Sequence, residues 1–452
     1  MKIWSKFIVC FLVIAILAGM VGCSPKTSEP AAPAETTEQP AGAEPEQVTI
    51  RVLTMQQAGY PVEVVNEIAE RFMADNPNVK VETEFVAYEA LHDKITTAMA
   101  TTPPAYDVVL VDDIWYAEFS NAGYLYDVSD KITDEMKQGI FPSGWEITTV
   151  DSKVYGLPWG IDGMYFFYNE KILKEAGFDN PPKTWEELEE MSQVIKDKGL
   201  VEYPMVWSWA QAEASICTLV ALLFGNGGTF VDEAGNPAFN NTEGVEVVQW
   251  MVDSIDKGYT NPASISYLEE DVRNVFSQGK AVFAVNWGYM YQMANFEPEE
   301  SIINGQVNMA LMPVFKKGLE KGIETATING SMGWSVANAS PNKEIGWEFI
   351  KFMTSKPIQD EYSKYSTPAW QTSYEGENLE KLISYSEANK VLIPNYVKQI
   401  PFAHVRPKVP YYSEASLALQ LALQQALTKQ KTPQEALDEA AAKFTELQEK
   451  YQ

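Results

Sequence analysis

Two hydrophobic periods alternate along the chain from residue 48 to residue 111. Stretches in which every second residue is apolar indicate half-buried strands, and stretches with apolar residues three or four positions apart indicate helices. The pattern predicts, in chain order, a strand at 48–55, a helix at 62–76, a strand at 79–86, a helix at 88–100 and a wholly apolar strand at 107–111. Strands and helices in alternation predict an α/β lobe built on a largely parallel sheet.

A second pattern of the same kind begins near Met164. Thr184 with Glu187, and Thr432 with Glu435, match the capping box in which a Ser or Thr and a Glu three residues later open a helix. The predicted elements of this part are helices at 184–199, 269–278 and 413–430, an apolar helix after Glu213 that ends at Gly225, and strands at 203–209 and 281–285.

The stretch Val154–Glu170, VYGLPWGIDGMYFFYNE, lies between the two patterns. It begins as a buried strand, is interrupted by Pro158, and resumes as an apolar run after Gly163. Glycines on both sides of Asp162 allow backbone conformations that other residues disfavour. This favours a crossover between two lobes, although a Gly-rich loop within one large domain has the same composition. A further Gly-rich stretch, Thr325–Trp334, predicts another crossover.

A chain of 452 residues is too long for one ordinary hydrophobic core, so two domains are expected. The predicted division is a signal peptide at 1–22, a lipidated cysteine and disordered tether at 23–47, lobe one at 48–161 plus 328–372, and lobe two at 162–327 plus 373–452.

The N-terminal segment has the features of an export signal. Lys2 and Lys6 precede an apolar run, Phe7–Ala18, that is too short to span a bilayer comfortably. The following GMVGC, which ends at Cys23, resembles the lipobox at which bacterial lipoproteins are cleaved and lipidated; an ordinary secretory cleavage site and a short membrane anchor are the alternatives. Residues 24–47 contain no large apolar side chain, which predicts a disordered tether. We therefore expect an exported protein, at the cell surface or in the periplasm, held to the membrane by its lipid alone.

Charge and composition exclude several function classes. The formal net charge of -28 repels phosphate backbones, which argues against a nucleic-acid partner. The two histidines, His92 and His404, are isolated and lie in no metal-binding or nucleophile motif, so neither a metal nor a cofactor is expected. In the mature chain Cys217 would be the one unmodified cysteine, which leaves no intramolecular disulfide.

Polar and aromatic side chains follow several of the predicted strands. In α/β sheets ligands bind beyond the carboxyl ends of the strands, which directs attention to Gln56, Gln57, Asp112, Trp159 and Asp162. Aromatic rings cover the apolar faces of a sugar, and carboxylates, amides and Arg pair with its hydroxyls. Three further tryptophans lie on predicted helices and are expected to pack in the core: Trp185, Trp250 and Trp347.

Four segments match the landmarks of one protein family in the family's order. They read PWGIDGMYFFYNEKILKEAGFDNPPKTWEEL at Pro158–Leu188, GKAVFAVNWG at Gly279–Gly288, SPNKEIGWEFIKFMTS at Ser340–Ser355 and RPKVPYYSEASLALQLALQQAL at Arg406–Leu427. Through them essentially all of residues 48–452 resembles the extracellular solute-binding proteins of ABC importers. The resemblance is to the carbohydrate-binding group, which includes maltose- and trehalose-binding proteins.

The resemblance implies a two-lobed, periplasmic-binding-protein-like α/β fold in which each lobe has a largely parallel sheet, hinge crossovers join the lobes, and a sugar is enclosed between them. It implies ligand contacts from Asp112, from Asp162 in the hinge, from Gly330 and Ser331 in the Gly-rich loop, and from Arg406. Other positions of this chain that fall where the family carries contacts are Trp207, Trp209 and Glu213.

Trp287 matches the aromatic residue that follows the family's Gly-Lys strand. Many members read Gly-Pro-Trp where this chain reads Asn-Trp-Gly, which leaves open whether Trp287 or Tyr289 stacks on the sugar. The complete predicted ligand-binding set is Gln56, Gln57, Asp112, Trp159, Asp162, Trp207, Trp209, Glu213, Trp287, Tyr289, Gly330, Ser331 and Arg406.

The predicted function is high-affinity extracellular capture of a sugar by hinge closure and its delivery to the permease subunits of an ABC importer. The protein is expected to be a monomer and not an enzyme. The same transport role for a polyamine or peptide is the alternative solute class, because the candidate site is acidic. Outside transport, the alternatives are a surface glycosidase with Asp112 and Asp162 as its acid/base pair and a surface adhesin.

Overall fold

The computed structural model describes residues 47–451. The predicted signal peptide, Cys23 and nearly all of the predicted tether lie outside the described residues. From Gln47 onward the chain forms one compact unit. Among the helices of the described part, none combines the length and apolar character that crossing a bilayer requires.

The described residues form thirteen strands, eighteen α-helices and five short 3-10 helices. The strands are β1 Val48–Met55, β2 Val79–Val86, β3 Val108–Asp112, β4 Thr149–Val150, β5 Lys153–Val154, β6 Leu157–Pro158, β7 Met164–Asn169, β8 Met205–Val206, β9 Phe283–Trp287, β10 Val307–Ala310, β11 Thr327–Ile328, β12 Met332–Val336 and β13 Ala403–His404. The α-helices are α1 Val62–Asp75, α2 Tyr88–Met99, α3 Tyr116–Asn121, α4 Asp134–Gly139, α5 Pro142–Thr148, α6 Glu170–Ala176, α7 Trp185–Asp197, α8 Glu213–Gly225, α9 Thr242–Asp256, α10 Glu269–Ser277, α11 Tyr289–Phe296, α12 Lys316–Glu320, α13 Lys343–Met353, α14 Lys356–Glu361, α15 Gly376–Ser384, α16 Asn389–Gln399, α17 Tyr412–Leu427 and α18 Pro433–Tyr451.

The larger of the two main sheets has five strands in the order β2-β1-β3-β12-β6. β1 pairs in parallel with β2 and with β3, whereas β12 is antiparallel to β3 and to β6. All five residues of β3 are buried, as its wholly apolar sequence predicts. Because β1 and β3 are parallel, their carboxyl ends, Met55 and Asp112, reach the same edge of the sheet.

The second main sheet has four strands in the order β10-β7-β9-β8. β8 is parallel to β9, and β7 is antiparallel to both β9 and β10. The six residues of β7 are buried, which fits a strand in the interior of its sheet. Trp287 is the last residue of β9 and therefore lies where ligands are expected in an α/β fold.

The two sheets confirm the α/β class but correct the expectation of largely parallel sheets. Parallel pairing holds for β2-β1-β3 and for β8-β9, whereas the remaining pairs of both main sheets are antiparallel. Parallel neighbours within one sheet are joined by long crossovers, usually through a helix. β7 and β12 instead each follow a short connection from a strand of a different sheet, β6 and β11, so their direction is not tied to that of their neighbours.

Two connecting segments lie next to each other. Residues 159–163 connect β6 of the larger sheet to β7 of the second sheet, and residues 329–331 connect β11, which pairs with β13 in a small separate sheet, to β12 of the larger sheet. Gly163 and Asn329 form an antiparallel bridge, the Gly330 amide donates to the Asp162 carbonyl at 3.1 Å, and the Asp162 amide donates to Ser331 Oγ at 3.0 Å. The two crossovers that the glycine pattern predicts are thus hydrogen-bonded to each other.

The predicted strand at 203–209 is mostly wrong, because only Met205–Val206 pairs as β8. Beyond it, the Trp207 amide donates to Ser264 Oγ at 3.2 Å and the Trp209 amide donates to the Ser264 carbonyl at 3.0 Å. A loop residue thus supplies the partners that a neighbouring strand would otherwise provide.

Several other sequence expectations are confirmed. Thr184 Oγ1 accepts from the Glu187 amide at 3.1 Å and caps α7. Trp185, Trp250 and Trp347 are buried in the core, as their helical positions predict. Cys217 is buried in α8, and the absence of an intramolecular disulfide in the mature chain stays a prediction.

Candidate functional site

A cavity of about 50 Å³ lies where the ends of the two sheets face each other. From the larger sheet it is lined by the last residues of β1 and β3, and from the second sheet by the last residue of β9. The start of α8 and the crossover 329–331 complete its wall. The full lining is Met55, Gln57, Tyr88, Asp112, Glu213, Ala214, Cys217, Glu269, Trp287, Gly330, Met332 and Arg406.

Arg406 is the central cation of the cavity wall and is only 3% exposed. Its Nη2 donates to Asp113 Oδ1 at 2.6 Å and to Asp112 Oδ1 at 3.2 Å, and its Nη1 donates to Glu213 Oε1 at 2.8 Å. The two aspartates follow β3, whereas Glu213 begins α8, which packs beside the second sheet. One guanidinium therefore holds together carboxylates from both halves of the fold.

The carboxylates around Arg406 have further donors within the protein. Tyr88 Oη donates to Asp112 Oδ2 at 2.8 Å, and Tyr412 Oη donates to Glu213 Oε1 at 2.7 Å. Gln420 Nε2 donates to the other Glu213 oxygen at 3.3 Å. Both oxygens of both carboxylates are therefore engaged, and the cluster is a nearly closed polar network.

Burial dominates the protonation of this cluster. Loss of water raises the pKa of Asp112 to about 8; the charge of Arg406 opposes this shift, and the charge of Asp113 adds to it. The same surroundings raise the pKa of Arg406 above its ordinary value, since the adjacent acidic groups favour its charged form despite its burial. Three carboxylates around one guanidinium thus favour a proton on Asp112.

Trp287 and Glu269 form the part of the cavity wall that belongs to the second sheet. The Trp287 ring lies directly over the Gly330 backbone, where an added Cβ would come within 2.1 Å of the indole Cη2. Trp287 Nε1 donates to Glu269 Oε1 at 3.4 Å. Burial raises the pKa of Glu269 to about 7. An aromatic face and a carboxylate thus stand side by side, as binding of a polyhydroxylated ring requires.

Asp162 lies in the crossover between β6 and β7, next to the cavity wall but not in it. Its Oδ1 accepts from the Gly163 amide at 2.9 Å. Burial raises the pKa of Asp162 to about 7, and the backbone amides of Gly163 and Gly288 oppose the shift. Gly288 follows β9 of the second sheet, so the Asp162 carboxyl faces the joint between the two halves.

Replacing Asp162 by Asn should make the stability of the ligand-free protein less dependent on pH. Between pH 4 and pH 7 the folded Asp162 keeps a proton that the unfolded chain has released, so stability falls as pH rises through this window. Without this group, the change in the free energy of unfolding from pH 4.5 to pH 7.5 should shrink by about 1–3 kcal/mol. Urea titrations at both pH values measure it.

The exposed Asp179 provides the matched control for this prediction. D179N removes the same charge from the surface, and it should leave the pH dependence of the unfolding free energy unchanged. Equal slopes for D162N and the unmodified protein would contradict the assignment of a proton to folded Asp162.

The structure brings part of the predicted ligand-binding set to the cavity. Six of the thirteen residues line it: Gln57, Asp112, Glu213, Trp287, Gly330 and Arg406. Of the two adjacent glutamines, only Gln57 lines the cavity. Gln56 is exposed and lines a separate surface groove, to which Gln57 also contributes. Ser331 lies in the adjoining crossover, where its hydroxyl accepts from the Asp162 amide.

Four predicted aromatic contacts lie away from the cavity. Trp207 and Trp209 stack on each other at 5.1 Å inside the apolar cluster of the second half, where Trp207 also packs on Trp185 and Trp250. Trp159 packs between Tyr60 and Trp334, and Tyr289 is buried with its hydroxyl donating to Glu270 Oε1 at 3.1 Å. Between the two candidates for stacking, Trp287 is the one in the cavity wall.

Sequence reasoning missed Tyr88 and Glu269. Tyr88 is the first residue of α2, two positions after the end of β2, so the rule that directed attention to the ends of β1 and β3 would also have found it. No pattern in the sequence pointed to Glu269. It follows a loop and begins α10, and only the fold determines where that helix lies. Among residues 47–451, no group of three or more His, Cys, Asp or Glu side chains is placed to hold a metal ion.

Two mixed sheets with a polar and aromatic cavity between their ends define the class of two-lobed ligand-binding proteins. Residues 58–360 match the family described as bacterial extracellular solute-binding proteins. The chain belongs to this family.

Individual relatives support the same assignment. A putative binding protein of Brucella abortus (strain 2308) is 28% identical over 214 residues, which is 47% of this chain and 52% of the relative. A probable ABC transporter-binding protein of Deinococcus radiodurans is 31% identical over 266 residues, 57% of this chain and 59% of the relative. The chain thus spans about half the length of the curated relatives that it matches.

Among solved structures, maltose-bound MalE3 of T. maritima is similar over its whole length. It has a TM-score of 0.79 and 29% sequence identity, and the match covers 88% of this chain and 100% of MalE3. The fold is therefore that of two-domain sugar-binding proteins.

Proposed function

We propose that this protein captures a sugar outside the cytoplasmic membrane and delivers it to the permease of an ABC importer. The observation that carries the proposal is the cavity at the facing strand ends, where Trp287 offers an aromatic face and Asp112, Glu213 and Arg406 offer hydroxyl partners. Membership of the solute-binding family and the likeness to maltose-bound MalE3 support the same role.

Capture requires the two halves to separate and close again. The cavity of about 50 Å³ is far smaller than the roughly 300–1,000 Å³ of pockets that enclose ligands. Its opposite walls come from the two sheets, so a solute that touches both walls stabilises the closed form and shifts the population towards it. The hydrogen-bonded crossovers at 159–163 and 329–331 are suited to act as the hinge.

The proposed lobe boundaries follow from these crossovers. Lobe one comprises 48–161 and 328–372, and lobe two comprises 162–327 and 373–452. The first division falls between β6 and β7, which belong to different sheets. The second falls within β11, shortly before β12 begins in the larger sheet. The third division, near residue 372, rests on the prediction that the chain returns to lobe two for its last helices.

Binding without catalysis is the role that the carboxylates favour. A glycosidase needs one carboxyl free to donate a proton and a second free to attack or to activate water. Here both Asp112 oxygens are engaged by Arg406 and Tyr88, and Asp162 Oδ1 is engaged by the Gly163 amide. We therefore assign Asp112 and Asp162 to binding and positioning, and the protein to the class of non-enzymatic binders.

The proposal includes the location of the protein. A signal peptide at 1–22 would export the chain, a lipid on Cys23 would anchor it, and the tether that follows would keep a monomeric binding unit close to the permease. Mass spectrometry of the protein isolated from membranes, compared with a C23S variant, would show whether the lipid is attached.

A thermal-shift screen with small-angle scattering tests the binding role. The panel contains mono-, di- and oligosaccharides, polyamines and short peptides. At a hundredfold excess over Kd a bound solute should stabilise the protein by about 2.7 kcal/mol, and the radius of gyration should fall on binding because the lobes close. Sugars that leave both the melting temperature and the radius of gyration unchanged would contradict the proposal.

Product analysis separates this role from catalysis. The protein is incubated with each oligosaccharide that binds, and the solution is analysed for cleaved products. We expect none to accumulate, and sustained release of shorter sugars would assign the protein to the glycosidases instead.

A further inference from the structure

The cavity wall contains more negative than positive charge. Of its twelve lining residues, Asp112, Glu213 and Glu269 are acidic and Arg406 is the one cation. Asp113 lies directly behind and adds a fourth carboxylate through its contact with Arg406. A site built only for neutral hydroxyls does not need this excess of acid. A carboxylate that has no positive partner within the protein is therefore a candidate to bind a positive group of the solute.

Three of the four carboxylates have their positive partner within the protein. Asp112, Asp113 and Glu213 all accept from Arg406, and Tyr88 and Tyr412 donate to the two of them that line the cavity. These acids therefore have little capacity left for a charged group of the solute.

Glu269 is different from the other three. Among residues 47–451, no Lys, Arg or His nitrogen lies within salt-bridge distance of its side chain, and the carboxyl accepts one long hydrogen bond, from Trp287 Nε1 at 3.4 Å. Its neighbour Glu270 is instead paired with Arg273 at 2.6 Å, outside the cavity. Glu269 is thus the cavity carboxyl without a counter-charge.

The surroundings of Glu269 suit a cation. Burial is the main cause that raises the pKa of Glu269, the nearby charges of Glu89 and Glu270 add to the shift, and hydrogen bonds from its own backbone amide and from Trp287 oppose it. The indole of Trp287 lies beside it, and the face of an indole attracts ammonium groups. A carboxylate and an indole together form a recognised pair of partners for a protonated amine.

We propose that Glu269 receives a protonated amino group of the solute, so that the preferred solute is an amino sugar rather than a neutral one. The inference rests on the proposed function, because the sugar ring is taken to occupy the cavity between the lobes. Within that function it assigns to Glu269 the role of a specificity-determining residue: Trp287 stacks on the ring, the Arg406 cluster contacts hydroxyls, and Glu269 selects the charge.

Isothermal titration calorimetry with matched sugars tests the assignment. Glucosamine and its β-1,4-linked disaccharide carry amines, glucose, cellobiose and maltose are neutral, and the N-acetylated forms keep the nitrogen but lose its charge. We expect the amine form to bind at least tenfold more tightly than its neutral and acetylated counterparts, because a charge-assisted hydrogen bond is stronger than a neutral one.

Charge variants of Glu269 complete the test. E269Q keeps the size and an acceptor for Trp287 but removes the charge, and it should weaken binding of the amine form about 100-fold while neutral sugars change less than threefold. E269D keeps the charge and should retain the preference for the amine even where affinity falls. E233Q removes a charge from an exposed side chain outside the cavity and should leave all affinities within threefold.

The outcomes distinguish the role of Glu269 from the capture of sugars in general. Tighter binding of a neutral sugar, or an amine preference that survives in E269Q, overturns the role of Glu269 while leaving sugar capture intact. A panel in which no sugar of either class binds to the intact protein contradicts the proposed function itself, and the amine assignment with it.

Discussion

Replacing Arg406 by Met is expected to lower the free energy of unfolding by about 3–5 kcal/mol. The guanidinium is 3% exposed and donates to Asp112, Asp113 and Glu213 at 3.2, 2.6 and 2.8 Å. Its removal leaves buried carboxylates facing one another without a counter-charge, and that costs more than the lost hydrogen bonds alone. Chemical denaturation at pH 7.5 measures the change.

The control for this prediction is Arg51, whose ion pair with Glu82 is exposed. Its Nε lies 3.6 Å from the carboxylate, and the two side chains are 61% and 43% exposed, so R51M should cost less than about 1 kcal/mol. A cost for R406M as small as that for R51M would show that the cluster is not held by charge.

Replacing Gly330 by Ala is expected to weaken sugar binding about 100-fold. Glycine at this position is required by space, because an added Cβ would lie 2.1 Å from Cη2 and 2.6 Å from Cζ3 of Trp287. The indole must therefore leave the position in which it forms the cavity wall. A displaced aromatic ring loses its contact with the sugar, and aromatic anchors carry a large share of binding energy at such sites. Titration calorimetry with the sugar identified in the screen measures the loss.

A double-mutant cycle distinguishes displacement of the ring from damage to the hinge. W287A alone should weaken binding to a similar extent, and G330A added to W287A should cost almost nothing further, because no ring remains to collide with. Additive losses in the double variant would instead mean that G330A acts on the crossover backbone. An unchanged affinity in G330A would show that Trp287 does not contact the sugar.

Much of the fold could be predicted from hydrophobic spacing. The predicted strands at 48–55 and 79–86 match β1 and β2 at both ends, and the predicted helix at 269–278 matches α10 to within one residue. Local periodicity decides such elements, since an amphipathic strand or helix buries one face wherever it is placed. The strand predicted at 203–209 failed because Ser264, far along the chain, supplies the hydrogen bonds for Trp207 and Trp209.

The candidate site was predicted only in part, because contacts between distant parts of the chain decide which side chains reach the cavity. Gln57 lies just after β1, Asp112 and Trp287 are the last residues of β3 and β9, and all three lie in the cavity wall, as the strand-end rule predicts. Trp207 and Trp209 carry the side chains expected of a sugar site, but they stack on each other in the core, where Trp207 also packs against Trp185 and Trp250. Residue type alone does not distinguish a tryptophan that packs from one that binds, because both positions favour a large apolar ring.

By itself, the sequence determined the order of the helices and strands, the two glycine-rich crossovers, the acidic character of the chain and its family. These properties depend on neighbours within a few residues or on the whole composition. The tertiary structure decided the mixed direction of the sheets, the grouping of Asp112, Asp113 and Glu213 around Arg406, and the position of Glu269 beside Trp287. Those contacts join residues up to nearly three hundred positions apart, and only packing of the two halves brings such side chains within hydrogen-bonding distance.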